Sequence, residues 1–212
     1  TTLFRSPRQP LHPLPSENAA GRRGRAVGSC VTLRCTGGAI ISFEVGRDTL
    51  ETLHQRAGYA VVARSDLSPS ASYRETRDDS AGTVFVRHDN KRECPVEVVG
   101  SSVDDLIDDL HLTVALHSSD DVFVHAGAVS WNGSAIVLPG RSHAGKSTLV
   151  HALVCAGAAY LSDEYARITA DGLIAPYHRP LQLRTPTGRR LVDPNDIGEV
   201  EDRAVPAGML VF

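Results

Sequence analysis

LPGRSHAGKSTLVHAL, residues 138–153, is the stretch on which the reading of this chain turns. It leaves an apolar run, passes through a loop bracketed by Gly140 and Gly145, and enters a segment with the apolar spacing of a helix. Gly140-Arg141-Ser142-His143-Ala144-Gly145-Lys146-Ser147 fits the pattern G-x-x-x-x-G-K-[ST] without mismatch. The glycines let backbone N–H groups turn inward around an anion. A helix starting after Gly145 points its positive end at the same place. Lys146 is expected to reach β and γ phosphate oxygens, and the Ser147 hydroxyl to ligate Mg²⁺. Thr148 follows in the first helical turn, so residues 140–148 form the expected phosphate-binding segment. Average residue frequencies produce such a match by chance in about one chain of this length in a hundred.

The rest of the composition narrows the class. The 212 residues are 42% hydrophobic and 22% charged, with a net charge of −3, ordinary for a soluble globular protein. That charge argues against nucleic-acid binding by bulk electrostatics. No apolar run approaches a membrane span, and no secretory signal is visible. Cys30, Cys35, Cys94 and Cys155 show neither a CxxC pair nor zinc spacing, so reduced thiols in a cytoplasmic protein are expected. Cys30 and Cys35, five apart, would face opposite sides of one strand. Of 22 basic residues only Lys91 and Lys146 are lysines. A lysine kept against an arginine bias sits where a compact ammonium is needed.

Along the chain, residues 1–25 hold four Pro and five Arg without periodicity and read as a disordered tail, with 1–6 an artefact of the cloned sequence. Residues 26–100 read as a small α+β domain. Two strands are joined at Gly37-Gly38, a short helix covers 48–58, and two more strands flank Asp89-Asn90. Residues 101–212 form the second unit. Val103, Leu106, Ile107, Leu110, Val114 and Leu116 give 102–119 a helical stripe, with Ser101 or Ser102 as cap and Asp104 and Asp105 on a solvated face. Two strands flank Asn132-Gly133, the helix after the loop ends at Gly157, and Asp171-Gly172 turns into another strand. The apolar, strand-like run at 204–212 suggests a fragment of a longer chain, truncated at its C-terminus.

Two further elements supply chemistry. Asp163 and Glu164 close the apolar run AAYLS, 17 residues beyond Lys146. Such a strand end is where a metal carboxylate or a catalytic base is found, and adjacent acids on one strand would face opposite sides. His125 sits in FVHAGAV, on the strand expected to pair with the one feeding the loop. By itself it reads as a satisfied core or rim histidine. Arg179 and Arg184 read first as surface arginines and second as contacts to a phosphate or an acidic substrate.

The strand His, the loop 15 residues later and the acidic pair together resemble the C-terminal domain of HPr kinase/phosphorylase, over about residues 105–184. LPGRSHAGKSTL followed by YLSDEYARI is especially similar to its shorter relatives in peptide-modification clusters. The resemblance implies an α/β P-loop kinase domain of the HPr kinase and phosphoenolpyruvate carboxykinase type. It implies ATP and Mg²⁺, and transfer of the γ-phosphoryl group to a serine of a peptide or protein. Position by position, it implies Asp163 as catalytic acid/base, Glu164 as the metal-associated acid beside Ser147, and His125 as neighbour of the catalytic Asp. A small-molecule kinase on the same scaffold, a nucleotide-binding sensor and a homo-oligomeric assembly stay open.

Overall fold

The computed structural model describes residues 29–57, 60–78, 82–90, 96–186 and 188–212. The expected tail at 1–25, together with Gly58, Lys91 and Cys94, lies outside the described residues.

The first unit is a six-stranded sheet. Strands β1 (Ser29–Cys35) and β2 (Ile40–Val45) form the expected antiparallel pair across Gly37-Gly38. Helix α1 (Arg47–Ala57) follows, then β3 (Val61–Arg64), β4 (Ala71–Asp78), β5 (Gly82–Asp89) and β6 (Val96–Gly100). The order is β3-β1-β2-β4-β5-β6, with β2 and β4 parallel and every other neighbour antiparallel. Strands β3 and β4 are absent from the sequence reading. In β4 only Ala71 and Tyr73 point into the core, and the charged residues at 74, 75 and 77 mask the alternation.

Helix α2 (Val103–His117) starts at Ser102, whose hydroxyl accepts from Asp105 N–H while the Asp105 carboxylate accepts from Ser102 N–H. This capping box satisfies two amides at the helix start. Leu106, Ile107, Leu110 and Val114 pack with Ile41, Phe43, Tyr73 and Phe85 of the first sheet. Leu116 does not join them; two residues past Val114 it lies about 200° around the helix and remains 37% exposed. The sequence stripe also misses the buried polar residues Asp109, Thr113 and His117 on one side of the helix and His111 on another. Tyr73 donates its hydroxyl proton to Asp109 at 2.9 Å and accepts from the Thr113 hydroxyl at 2.7 Å, and Arg87 reaches both Asp109 and Glu97. His117 Nε2 lies 3.2 Å from Asp89 Oδ2. Burial works against the Arg87 charge, but the Asp109 carboxylate holds its pKa above the ordinary arginine value.

The second unit begins with β7 (Val122–Trp131) and β8 (Ser134–Pro139), joined by Asn132 and Gly133 at positive φ, as a two-residue hairpin requires. Helix α3 (Lys146–Cys155) follows and closes in a Schellman arrangement, Gly157 N–H to Val154 O and Ala158 N–H to Leu153 O. The remaining strands are β9 (Ala159–Ser162), β10 (Tyr165–Ile168), β11 (Leu173–Ala175), β12 (Leu181–Thr185), β13 (Gly188–Val192) and β14 (Val205–Leu210). Pairings run β7-β8-β14-β11-β10 and back to β7, with β8 and β14 parallel, while β9 continues along β7. Alternate residues of β8 serve two cores. Ala135 and Val137 join an alanine-rich cluster with Ala126, Ala128 and Ala166; Leu138 packs with Val150 and Val154 of α3. Hairpin β12–β13 stands apart as a two-stranded ribbon. The architecture is mixed α/β, with no helix among the described residues long and apolar enough to cross a membrane.

Gly127 explains how α3 comes so near β7. A Cβ there would lie 2.6 Å from Val150 Cγ2 and 3.4 Å from the Asp163 carbonyl oxygen. The approach of Val150 needs a residue without that atom, while the Asp163 carbonyl would be in ordinary contact with it.

Cys30 is exposed and Cys35 is fully buried, on opposite sides of β1 as their spacing predicts. Burial pushes the Cys35 thiol up to about 12. At pH 8 a thiol-specific reagent is therefore expected to label Cys30 and Cys155 while sparing Cys35, which becomes reactive only in denaturant. Peptide mapping by mass spectrometry reads this directly. Equal labelling of Cys35 and Cys30 in the native protein would contradict the packing of β1.

Candidate phosphate-binding site

The end of β8 releases the chain at Gly140, and α3 resumes it at Lys146. Between them Ala144 N–H closes a turn on Arg141 O at 3.1 Å, with His143 at φ 75° and Gly145 at φ 85°. A positive φ is why glycine suits position 145; His143 accepts the same conformation at a cost of about 1 kcal/mol. No side chain caps α3, so its first-turn amides stay directed at the loop. Arg141, Ser142, His143 and Ala144 are exposed, and Lys146 and Ser147 are half-buried.

Lys146 Nζ folds over this loop. It donates to Gly140 O at 2.9 Å and Arg141 O at 3.1 Å, and lies 3.0 Å from His125 Nε2. With the ammonium donating, His125 accepts through Nε2 and is the neutral imidazole. Desolvation and then the Lys146 charge lower the His125 pKa, which keeps it in that form. Desolvation also lowers the pKa of Lys146, against the opposing pull of Glu164 and Asp163. The strand histidine and the loop lysine, 21 residues apart, are thus direct neighbours.

The acidic pair departs from its sequence reading. Residues 158–168 are not one strand. β9 ends at Ser162, β10 starts at Tyr165, and Asp163 and Glu164 form a bend opposite Ala126 and Gly127. Ala126 N–H donates to Glu164 O across it. Because the pair has left the ladder, the two side chains do not take opposite faces; both line the cleft beside the loop. Asp163 is 4% exposed, lines the cleft together with Ser147, and accepts from Gln182 N–H at 3.3 Å through Oδ2. Its Oδ1 is buried without a hydrogen-bond partner. Burial raises the Asp163 pKa above the ordinary carboxylate value, with Ser147 and the Gln182 amide pulling it back. Glu164 is the more open acid and pairs with Arg179 at 3.5 Å.

Arg179 corrects a second expectation. It is no surface residue but 6% exposed, spanning from Glu164 to Asp108 of α2 at 3.3 Å. Beside it His111 Nδ1 meets the Tyr177 hydroxyl at 2.7 Å, fully buried. Burial and then the Arg179 charge hold His111 well below the ordinary histidine pKa. Arg184 is exposed, as read, but its guanidinium lies 2.9 Å from both ring nitrogens of His143 in the loop. Asp108, Gln182 and Arg189 also enter the cleft, and no sequence signal marks them, since each arrives through a contact distant in the chain.

The cleft holds about 490 Å³, within the range of small-ligand sites. One wall is acidic, from α2 and the 163–164 bend. The other is basic, from Lys146, Arg184 and Arg189. A buried carboxylate oxygen without a partner, next to a serine hydroxyl at a helix start, fits a hard cation taking oxygen donors. Mg²⁺ suits it because that ion keeps most of its shell for water and phosphate. Among the described residues no group of three or more His, Cys, Asp or Glu forms a cage for a metal.

No protein-family model, curated protein or solved structure matches the chain.

Proposed function

We propose that the cleft binds ATP with Mg²⁺ and transfers the γ-phosphoryl group to a hydroxyl, in the manner of the HPr kinase-type serine kinases that the sequence resembles. The observation that carries the reading is the meeting of three sequence-distant elements on one cleft: Lys146 beside His125, with Ser147 and Asp163 lining the same space. In this reading the loop amides, the α3 N-terminus and Lys146 hold the phosphates. Ser147, with the neighbouring acid Glu164, would hold Mg²⁺, which would supply charge neutralisation at the phosphates. Asp163 accepts the proton of the attacking hydroxyl, and its raised pKa suits a base that must take and release a proton. His125, neutral, orients Lys146. The acceptor is a serine of a peptide or protein, approaching past Asp108 and Gln182, and the setting is the cytoplasm, in keeping with free Cys30, Cys35 and Cys155.

Binding is tested by thermal shift. At a hundredfold excess over Kd, ATP with Mg²⁺ is expected to raise the Tm by about 5–10 °C, since a ligand specific for the folded state stabilises it by mass action. Lys146→Ala removes most of that shift while leaving the unliganded Tm within about 2 °C. An equal shift in both proteins rules out the loop as the phosphate site.

A further inference from the structure

Arg184 on β12 and Arg189 on β13 are directly opposite each other in the ladder. Alternation puts Gln182, Arg184 and Arg189 on the face that lines the cleft, whereas Arg190 pairs with Leu183 on the other face. Two like charges at a directly opposed position destabilise a hairpin. Nothing among the described residues offsets them with an ion pair. Arg189 has the Gln182 side-chain carbonyl at 3.4 Å, and Arg184 has His143. A neutral imidazole accepts through one nitrogen only, so it cannot satisfy both Arg184 N–H groups that face it. Arg179 differs, with carboxylates on both sides of its guanidinium.

A pair of cations set against each other on a cleft face, with donors to spare, is an anion site. The His143 contact places it against the phosphate loop itself, across from Lys146 and the α3 N-terminus. We infer that Arg184 and Arg189 form a second phosphate-binding wall, which takes the terminal phosphoryl group of a nucleoside triphosphate. The assignment rests on the nucleotide reading above and adds a selectivity to it. A diphosphate ends at the loop, and a triphosphate also reaches the hairpin. Holding the terminal phosphoryl from two sides orients it toward the Asp163 side of the cleft and places positive charge where negative charge is carried during transfer.

Titration calorimetry with ATP and with ADP, each with Mg²⁺, tests this in the full chain. Wild type is expected to bind ATP at least tenfold tighter than ADP. Arg184→Gln and Arg189→Gln each reduce ATP affinity roughly tenfold, as loss of a charge-assisted hydrogen bond does, and change ADP affinity less than twofold. Arg190→Gln, on the opposite face, leaves both affinities unchanged. Circular dichroism melts of the variants establish that each is folded. If the ATP-to-ADP ratio survives both substitutions, or if the two nucleotides weaken equally, the hairpin does not read the terminal phosphoryl and the inference falls. If wild type binds ADP and ATP equally, the nucleotide reading stands and the arginine wall falls. If wild type binds neither, the nucleotide reading itself is wrong and this inference goes with it.

Discussion

Asp163→Asn is expected to lower phosphoryl transfer by about 10²–10⁴-fold while leaving ATP affinity within a few-fold of wild type. The substitution keeps the side chain's size and its place beside Ser147 and the Gln182 amide. It removes the ability to accept a proton, and it removes a negative charge from a site proposed to take a polyanion. Binding therefore holds or tightens slightly, and the loss appears in kcat. Glu164→Gln behaves differently. Glu164 is the more exposed acid and is held by Arg179, so its substitution shifts the Mg²⁺ concentration needed for half-maximal rate more than the maximal rate. Transfer from labelled ATP to a serine-containing peptide library, with calorimetry alongside, separates the cases. Wild-type transfer by Asp163→Asn would show that Asp163 is not the base. Tight ATP binding by wild type with no transfer to any hydroxyl acceptor would replace the kinase by a nucleotide sensor.

Asp109→Ala is expected to cost about 3–5 kcal/mol of stability, a large fraction of the total for a protein of this size. Arg87 is 2% exposed and Tyr73 is fully buried, and Asp109 joins both. Deleting the carboxylate leaves a buried guanidinium with Glu97, itself half exposed, as its remaining acidic partner. It also leaves the Tyr73 hydroxyl with Thr113 alone. Tyr73→Phe, which removes a hydroxyl and no charge, costs about 1 kcal/mol. Urea unfolding followed by circular dichroism measures both. A loss below 1 kcal/mol for Asp109→Ala would mean that water reaches Arg87 and the network is not closed.

These two sites were legible in the sequence to very different degrees. The loop, the lysine, the histidine and the acidic pair all show as residue types at fixed spacings. Such patterns survive in one dimension because the backbone path between them is short: a strand, a tight loop, a helix and a return strand. The cap at Ser102, the Asn132-Gly133 hairpin and the Gly157 helix end are local for the same reason, and each stands where its turn chemistry puts it. The Arg87–Asp109–Tyr73 network has no local signature. Its members come from β5, α2 and β4, and β4 does not show in the sequence as a strand at all.

The sequence by itself determined the glycine-bracketed loop at 140–145, the strand and helix that frame it, the hairpin that brings His125 beside it, and the mixed α/β class. The tertiary structure alone decided which way the acids face and which arginines belong to the site. A bend, unlike a strand, sets no alternation, so Asp163 and Glu164 can both line the cleft once β9 ends at Ser162 and β10 begins at Tyr165. Arg179 is buried because Asp108, 71 residues earlier in the chain, meets it across the cleft, and Arg184 reaches His143 over 41 residues. Such partners carry no spacing rule. The pairing exists only after the sheets close, and the energy of a charge depends on what the fold brings within a few ångströms of it.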